Sequence, residues 1–399
     1  MKVCIISRGD LSLFPPTQGA SYKLFYTLKA LSEAGVEVYF VTAEDEFYYR
    51  VEGGKFEKKP YPSLLRNSKL KPFQKRLLSL IGIPHDIYPI YHPLVNFKLW
   101  LRLFYVARKE KIDIIQAEFT TFAIPAILVK LLTGIPVCLV EHNVESFQIP
   151  QITEIRERGE KLVRFVEKNV CNISDSVIAI TEEDKRRLQL IGVKKEKIKV
   201  IPFGVDLKAY NVKRSEISKV KKKLKLKFPT LVFHGTYSYK PNLDAVKFLS
   251  QVVMPHLRKK KIKAKLLAIG DFPPKDIKEK DVIFTGVVEN LPTYLKAADI
   301  AVVPIVAGGG MRIKILEYFA AQIPVVSTSF GAEGIPVRDG EEIVIAKLKD
   351  FPEKVKKLIK EKRLREMIKR RAFLFIKGWE WKKIIEKYIE VYRELTNKN

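Results

Sequence analysis

Residues 303–339 read VPIVAGGGMRIKILEYFAAQIPVVSTSFGAEGIPVRD. The stretch combines a short apolar strand, three glycines, an amphipathic helix and a second apolar strand. A glycine turn between a strand and a helix lets a ligand approach the backbone and directs free helix N–H groups at an anion. The pattern therefore predicts a unit of a parallel α/β sheet with an anion site at its glycines. An ordinary strand–turn–helix unit with solvated basic residues is the alternative.

Two basic residues follow the glycines, Arg312 and Lys314. Positive charge in the first turn of a helix opposes the helix dipole and is unfavourable for the helix alone. A bound phosphate would reverse that penalty. The sequence thus favours a phosphate site at this turn.

Length and composition limit the number of domains and the class of protein. With 399 residues, of which 47% are hydrophobic, the chain can fill two cores. Cys4, Cys138 and Cys171 lie far apart in apolar runs and form no CxxC pair, which is typical of reduced core cysteines in a cytosolic protein. The start, MKVCIISRGD, reads as a core strand rather than a signal peptide, and no run of about 18 apolar residues occurs. We therefore expect a cytoplasmic protein without a membrane span.

Much of the formal net charge of +28 is spread as lysines on helix faces, but residues 50–111 differ, because basic residues greatly outnumber acidic ones there. Large apolar side chains are mixed with them: Phe73, Leu77, Leu78, Trp100, Leu103, Phe104 and Tyr105 alternate with Lys71, Lys75, Arg76, Lys98, Arg102 and Arg108. This mixture suits a surface that contacts anionic lipid, and we expect peripheral contact with the inner face of the plasma membrane. A nucleic-acid surface and a core helix with a solvated basic back remain alternatives.

Strands and helices alternate along the whole chain, and the polar, Lys-rich stretch 211–228 marks a join between two halves. The strands are expected at 3–7, 36–42, 112–117, 136–141, 176–181 and 198–201, and then at 230–233, 265–269, 282–285, 300–303, 324–327 and 343–345. Such alternation predicts two doubly wound parallel sheets with a cleft between them, and ligands bind beyond the carboxyl ends of such strands.

Seven segments, taken in their order and spacing, resemble the GT-B glycosyltransferases of the large retaining family 4 over nearly the full chain. They are PPTQGASYKLFYTLKALSEAGVEVYFVT, LVEHNVES, VIPFGVDLKAY, FHGTYSYKPNLDAVKFL, LLAIGD, VIFTGVV and GGGMRIKILEYFAAQIPVVST. The resemblance implies an α/β chain of two Rossmann-like domains facing across a cleft. It implies an acceptor-side domain at residues 1–205, a nucleotide-sugar domain at 206–375, and a final helix at 376–399 that crosses back to the first domain.

The activity implied by the resemblance is retaining transfer of a hexose-type sugar from a nucleoside diphosphate to a hydroxyl acceptor. Members with these segments often assemble cell-surface glycans, so the expected acceptor is a lipid-linked or surface glycan precursor. A sugar-nucleotide epimerase of the same fold and a non-enzymatic, basic nucleic-acid-binding protein are the alternatives. We expect no nucleic-acid partner.

The resemblance also assigns site residues. His142 matches the active-site histidine beside the transferred sugar, and Glu118 either faces the acceptor or caps the next helix. Glu317 matches the second glutamate of the E-x7-E signature, which binds ribose, whereas the first glutamate is replaced by Gly309. The donor-binding residues are Gly19, Ala20, Gly235, Thr236, Lys240, Gly308, Gly309, Gly310, Met311, Arg312, Lys314 and Glu317.

Three features depart from the family pattern or bear on the chemistry of the site. Thr236 stands where members often carry an arginine that clamps the diphosphate, so Arg312 and Lys314 are expected to supply the charge. Asn242 is expected to cap the helix that follows. No D-x-D segment and no His/Cys cluster at ligand spacing occurs, so neither a metal nor another cofactor is expected.

Overall fold

The computed structural model describes residues 1–7, 19–42, 45–66, 72–80, 83, 93, 96–152, 155 and 157–397. The chain divides into two compact units: Met1–Phe203 together with Trp381–Asn399, and Gly204–Glu380. From the sequence, the boundaries are expected after residues 205 and 375. The last helix therefore belongs to the first unit by its packing, although it follows the second unit in the sequence.

The first unit is built on an eight-stranded sheet. In chain order its strands are Lys2–Ser7 (β1), Glu37–Thr42 (β2), Phe47–Glu52 (β3), Lys55–Pro60 (β4), Ile114–Glu118 (β5), Val137–Glu141 (β6), Ser176–Ala179 (β7) and Ile198–Val200 (β8). The spatial order is β4-β3-β2-β1-β5-β6-β7-β8. β3 pairs antiparallel with both of its neighbours, β2 and β4, and all other neighbouring strands pair in parallel. β1 is buried apart from Lys2 and β5 and β6 throughout, as expected where helices cover both faces of a sheet.

The second unit carries a parallel six-stranded sheet. Its strands are Thr230–His234 (β9), Lys265–Ile269 (β10), Val282–Gly286 (β11), Ile300–Val303 (β12), Val325–Ser327 (β13) and Val344–Ile345 (β14). The spatial order is β11-β10-β9-β12-β13-β14. All pairs are parallel, which agrees with the strands expected from the sequence.

Helices connect the strands. Those before the join are Gly19–Glu33 (α1), Pro72–Leu80 (α2), Phe97–Lys109 (α3), Thr120–Thr133 (α4), Glu145–Ile152 (α5), Glu157–Ile173 (α6) and Glu182–Leu190 (α7). Those after it are Arg214–Lys223 (α8), Lys240–Phe248 (α9), Met254–Lys259 (α10), Leu291–Lys296 (α11), Ile313–Ala320 (α12), Phe351–Lys360 (α13), Lys362–Ile376 (α14) and Trp381–Thr396 (α15). Within the described part of the chain, no helix has both the length and the apolar character needed to cross a bilayer.

The hairpin β3–β4 is not expected from the sequence, where its residues count only as part of a basic segment. Gly53 and Gly54 form its turn with φ of +53° and +78°, a conformation that glycine adopts without strain. On β4, charged side chains face solvent at an edge of the sheet, which protects that edge from further pairing.

The basic segment 50–111 is only partly a surface. Arg102 is fully buried, where it donates a hydrogen bond to the carbonyl of Leu65 and lies 4.8 Å from the ring of Tyr61. Leu78 and Leu103 are core residues as well. The described side chains of this segment therefore do not share one exposed face, because α3 buries one side of itself, as the alternative of a core helix with a solvated basic back predicts. Lys71 and the side chain of Phe73 lie outside the described residues.

Gly19 and Ala20, both expected in the donor site, lie in the first turn of α1, which begins at Gly19. Their side-chain surroundings lie outside the described residues. Of the loop before them, residues 8–18 are likewise not described.

Candidate functional site

At the carboxyl ends of β9 and β10 in the second unit, two backbone segments come into close contact. Gly235 follows β9 and Gly270 follows β10, with φ of +145° and +148°. The amide of Gly235 donates to the carbonyl of Ile269 at 2.9 Å. A Cβ on Gly270 would overlap the Gly235 carbonyl, so only glycine fits there. The two residues form a floor of backbone atoms, with the side chains of Asn242 and Lys314 beside Gly235.

Lys314 lies at the edge of this floor, in the first turn of α12. Its Nζ donates a hydrogen bond to Oδ1 of Asn242 at 2.7 Å and lies 4.3 Å from the centre of the Phe233 ring. A Cβ on Gly235 would lie 3.2 Å from this amine. Gly235 and Lys314, both expected in the donor site, are therefore neighbours.

Asn242 orients that lysine. Its Nδ2 donates to the carbonyl of Thr236 at 2.9 Å, which leaves Oδ1 free to accept from Lys314. The expectation that Asn242 caps a helix is wrong, because α9 begins at Lys240 and Tyr239 occupies the cap position. Asn242 instead links the loop after β9 to the first turn of α12.

The electrostatics of Lys314 favour an anionic ligand. Burial lowers the pKa of Lys314 to about 7, with the nearby charge of Arg312 acting in the same direction and Glu317 opposing both. An ammonium that has lost most of its hydration gains strongly from a phosphate placed beside it. The helix N-terminus adds positive potential at the same place.

The glycine turn and Arg312 show a different arrangement. Arg312 donates to the carbonyl of Gly310, and its guanidinium lies 4.6 Å from the ring of Phe330 and 3.9 Å from the carboxylate of Glu333. Arg312 is therefore held by the loop that follows β13. It acts on Lys314 through its charge.

Gly308 and Met311 line the same turn. Gly308 has φ of +107°, and a Cβ there would overlap the Tyr239 hydroxyl. Met311 is buried, whereas Gly309 and Gly310 are partly accessible. The accessible backbone of the turn is thus that of the second and third glycines.

Two expected donor residues stand apart from Lys314 in their contacts. Lys240 is exposed and pairs with Asp244 at 2.8 Å within α9. The hydroxyl of Thr236 pairs with that of Ser238 at 2.8 Å, while its backbone carbonyl receives Asn242. Glu317, in contrast, is buried and hydrogen-bonded to His234 at 2.8 Å, and it lies three positions after Lys314 on the same helix.

The first unit has its own cluster of charged groups at the ends of β5 and β6. Nε2 of His142 lies 2.5 Å from Oε2 of Glu118, and the amine of Lys23 lies 2.8 and 2.6 Å from the two carboxylate oxygens. Lys23 and Glu118 are completely buried. The carboxylate therefore faces Lys23 and His142, and the cap position of α4 belongs to Phe119.

The protonation of this cluster follows from its contacts. Burial raises the pKa of Glu118, but Lys23 and His142 outweigh it and hold that pKa at about 2. Burial, together with the charge of Lys23, lowers the pKa of His142. A neutral imidazole that donates from Nε2 to a carboxylate keeps Nδ1 as an acceptor. Among the described residues, no partner contacts that nitrogen.

The ring of His142 is held in place by aromatic packing. It stacks on Phe119 at a centroid distance of 4.1 Å and an angle of 19°. Phe119 has φ of +72°, which is unusual for a bulky residue and indicates a strained backbone at the end of β5. The stacking and the Glu118 hydrogen bond together leave His142 one orientation.

Two family models match this sequence. Glycosyltransferase Family 4 matches residues 17–209, and Glycosyl transferases group 1 matches residues 228–361. The chain belongs to these glycosyltransferases. Among curated proteins, no significant match is found.

Solved structures agree on the fold of this glycosyltransferase. HepE from Anabaena, in complex with UDP-glucose, has a TM-score of 0.70 at 17% identity and covers 99% of this chain and 100% of its own. Sucrose-phosphate synthase from Thermosynechococcus elongatus has a TM-score of 0.76 at 14% identity, with 100% of both chains covered. WaaG, a glycosyltransferase involved in lipopolysaccharide biosynthesis, has a TM-score of 0.66 at 13% identity, with 98% and 99% covered. The fold of the chain is therefore GT-B.

Sequence reasoning missed several residues of this glycosyltransferase that the structure places at the two clusters. In the first unit these are Lys23, Gln116 and Tyr392: Gln116 donates to Glu118 at 2.5 Å, and Tyr392 of α15 donates to Gln116. Two signals in the sequence could have indicated this cluster: Lys23 on the apolar face of α1 and Gln116 inside the buried strand β5. A lysine or a glutamine is rarely buried unless a polar partner is present. In the second unit the missed residues are His234 and Tyr318.

Proposed function

We propose that this glycosyltransferase transfers a hexose-type sugar, with retention of configuration, from a nucleoside diphosphate sugar to a hydroxyl acceptor. The acceptor proposed is a lipid-linked or cell-surface glycan precursor at the cytoplasmic face of the membrane. The observation that carries the proposal is the contact between Lys314 and Asn242 beside the bare backbone of Gly235. It places one partly buried cation and a helix N-terminus beside backbone that carries no Cβ.

The donor class is supported by what surrounds Lys314. A diphosphate beside this amine would be stabilised as it leaves, because fixed positive charge at a developing anion lowers the barrier without reorganisation. Lys314 and the first turn of α12 supply this charge, so we propose that no metal cofactor is needed. HepE, which has the same fold, binds UDP-glucose, and UDP is accordingly the first nucleotide to test.

His142 is proposed to contact the transferred sugar. With its proton held toward Glu118, the imidazole offers Nδ1 as an acceptor for a sugar hydroxyl. In a retaining reaction of this kind, the acceptor hydroxyl attacks the anomeric carbon on the face that the diphosphate leaves. The departing phosphate oxygen takes the proton, and no carboxylate nucleophile is required.

The activity test is incubation with UDP-, GDP- and ADP-sugars, with and without a lipid-linked sugar acceptor. We expect transfer only when both donor and acceptor are present, and an unchanged anomeric configuration in the product by NMR. Isomerisation of the donor without an acceptor would identify an epimerase instead. Absence of binding to any of these nucleotides would contradict the proposal.

Membrane contact is proposed for the exposed part of the basic segment. On α3, Phe97 and Leu101 are exposed one turn apart, and Arg108 lies on the same side of the helix. Leu64, which is 81% exposed, belongs to the turn that α3 holds through Lys98 and Arg102. Exposed apolar side chains beside basic ones match a monolayer of anionic lipid.

Vesicle pelleting at physiological salt tests this contact. We expect the protein to pellet with phosphatidylglycerol vesicles more than with phosphatidylcholine vesicles. Replacing Phe97 and Leu101 with glutamate should reduce pelleting by about tenfold or more, since two apolar side chains no longer insert. Leu131 and Leu132, both 74% exposed at the end of α4, provide a matched double glutamate control. Equal losses in the two double variants, or no pelleting of the wild type, would contradict membrane contact through α3.

A further inference from the structure

A chain of hydrogen bonds connects the end of β9 to Glu317. The backbone N–H of His234 donates to the hydroxyl of Tyr318 at 3.0 Å, and the same hydroxyl lies 2.9 Å from Nδ1 of His234. Nε2 of His234 lies 2.8 Å from Oε2 of Glu317. The rings of His234 and Tyr318 meet edge to face with centroids 5.0 Å apart. One histidine is therefore fixed at its backbone and at both ring nitrogens.

The position of each proton follows from the donors present. Tyr318 is fully buried, and burial raises the pKa of its hydroxyl well above the ordinary value, so the proton stays on the oxygen. Among the described residues, Nδ1 of His234 is the acceptor within reach of that O–H. Buried hydroxyl groups donate where an acceptor is present. Nδ1 therefore accepts, and the ring proton lies on Nε2, from which it is donated to the Glu317 carboxylate.

This arrangement limits what Glu317 can do. Its Oε2 is engaged by His234, whereas Oε1 has no partner among the described residues. The side chain is 12% exposed, so it can meet a ligand at its open edge without rotating freely. A carboxylate held in this way keeps Oε1 as the oxygen without a hydrogen-bond partner among the described residues.

We propose that His234 is a positioning residue which, with its tautomer set by Tyr318, holds Glu317 so that only Oε1 accepts a ribose hydroxyl of the donor. The inference rests on the proposed function, since it assumes a nucleotide at Lys314 and Glu317. It adds two residues to which neither the family pattern nor the sequence assigns a role. The Tyr318 hydroxyl accepts a hydrogen bond from the backbone N–H of His234 and donates one to Nδ1 of the same residue. It therefore fixes the orientation of the His234 ring relative to the backbone.

The tautomer is tested first, without any ligand. A two-bond ¹H–¹⁵N NMR spectrum of the histidine side chains should show His234 with its proton on Nε2 in the wild type. In Tyr318→Phe the same resonances should shift toward a mixture of tautomers, because Nδ1 loses its donor. A wild-type His234 protonated on Nδ1, or a spectrum unaffected by Tyr318→Phe, would overturn the proposal whether or not the protein binds a nucleotide.

Nucleotide recognition is tested with UDP, 2′-deoxy-UDP and 3′-deoxy-UDP by calorimetry. The wild type should bind UDP about 10- to 100-fold more tightly than at least one deoxy form, the range for a hydrogen bond to a charged group. His234→Leu should lose most of that preference. His234→Gln should keep much of it, because its amide N–H can still donate to Glu317. In a transfer assay the loss should appear in the donor KM more than in kcat.

His256 provides the matched control. It lies in the same unit and pairs with Glu353 at 2.9 Å through Nε2, so His256→Leu also breaks a histidine–glutamate contact. It should leave the ribose preference unchanged. If His234→Leu folds poorly because the Tyr318 hydroxyl loses its acceptor, the double variant with Tyr318→Phe removes that cost. A preference retained in the double variant would overturn the inference, whereas a wild type that binds none of UDP, GDP and ADP would overturn the proposed function.

Discussion

Replacement of Lys314 with alanine is expected to raise the donor KM by about 10- to 100-fold. A charge-assisted hydrogen bond to phosphate contributes roughly 1.5–3 kcal/mol, and that amount corresponds to this change in affinity. The amine is already oriented by Asn242 at 2.7 Å, so little ordering is needed when the donor binds. Donor-induced thermal stabilisation and steady-state kinetics both measure the effect.

The pH dependence of donor binding provides a second test of Lys314. Because burial lowers the pKa of Lys314 to about 7, the free enzyme carries the charged amine below that pH and loses it above. Donor affinity should therefore fall above pH 7, by up to about tenfold per pH unit, since binding must then take up a proton. In Lys314→Ala this fall should disappear.

The control for these measurements is Lys247→Ala. Lys247 lies on α9, as Asn242 does, and pairs with Asp276 at 2.8 Å near the surface. Its removal should change neither the donor KM nor its pH profile. A Lys314→Ala protein with wild-type donor affinity would dismiss the phosphate role of this lysine.

Lys23→Met is expected to give the largest loss of stability. Removing one partner of a buried ion pair costs about 3–5 kcal/mol, because the remaining charge is left without compensation. Lys23 and Glu118 are both fully buried, and Nζ of Lys23 lies 2.6 Å from Oε2 of Glu118. For a unit of this size such a loss corresponds to a fall of roughly 6–20 °C in the melting temperature of the first unit.

The direction of the pH effect follows from Glu118. Its pKa of about 2 in the folded protein lies below the ordinary carboxyl value, so the pair stabilises the fold at neutral pH. That contribution is lost as the pH falls from the ordinary value toward 2. Thermal melts at several pH values should show this loss in the wild type and not in Lys23→Met.

Two further variants separate the ion pair from simple packing. Lys23→Met combined with Glu118→Gln should recover much of the stability, because no unpaired charge then remains, but not the activity, since His142 loses its carboxylate. Lys130→Met removes a lysine that pairs with Asp175 at 2.6 Å in a partly exposed position and should cost about 1 kcal/mol or less. If Lys23→Met and Lys130→Met melted alike, the buried pair would not contribute as described.

The parallel strands of both sheets were predicted correctly, because buried parallel strands read as short apolar runs. The hairpin β3–β4 was not, because a strand on a sheet edge carries charged residues that resemble a loop or a basic surface. Arg102 shows the same limit in another way. Its charge suggests a surface, but its stem and guanidinium pack beneath Tyr61.

The sequence shows the glycines of the candidate site more readily than the contacts of its side chains. Gly235 and Gly308 are where positive φ and close packing require glycine, and glycines of that kind are visible in a sequence. Asn242 was read as a helix cap, since local spacing cannot show that a residue 72 positions away will donate to it. Arg312 was paired with Lys314 because both follow the glycines, yet its side chain turns toward Phe330.

The order of apolar runs, glycine turns and polar joins determined on its own that this chain forms two parallel α/β units, because those signals act within a few residues. Which proton sits on His234, which oxygen of Glu317 stays open and which carboxylate holds His142 depended on side chains that meet from distant segments. Only the tertiary structure decides such contacts, since each arises where strand ends and helix starts from different parts of the chain are packed side by side.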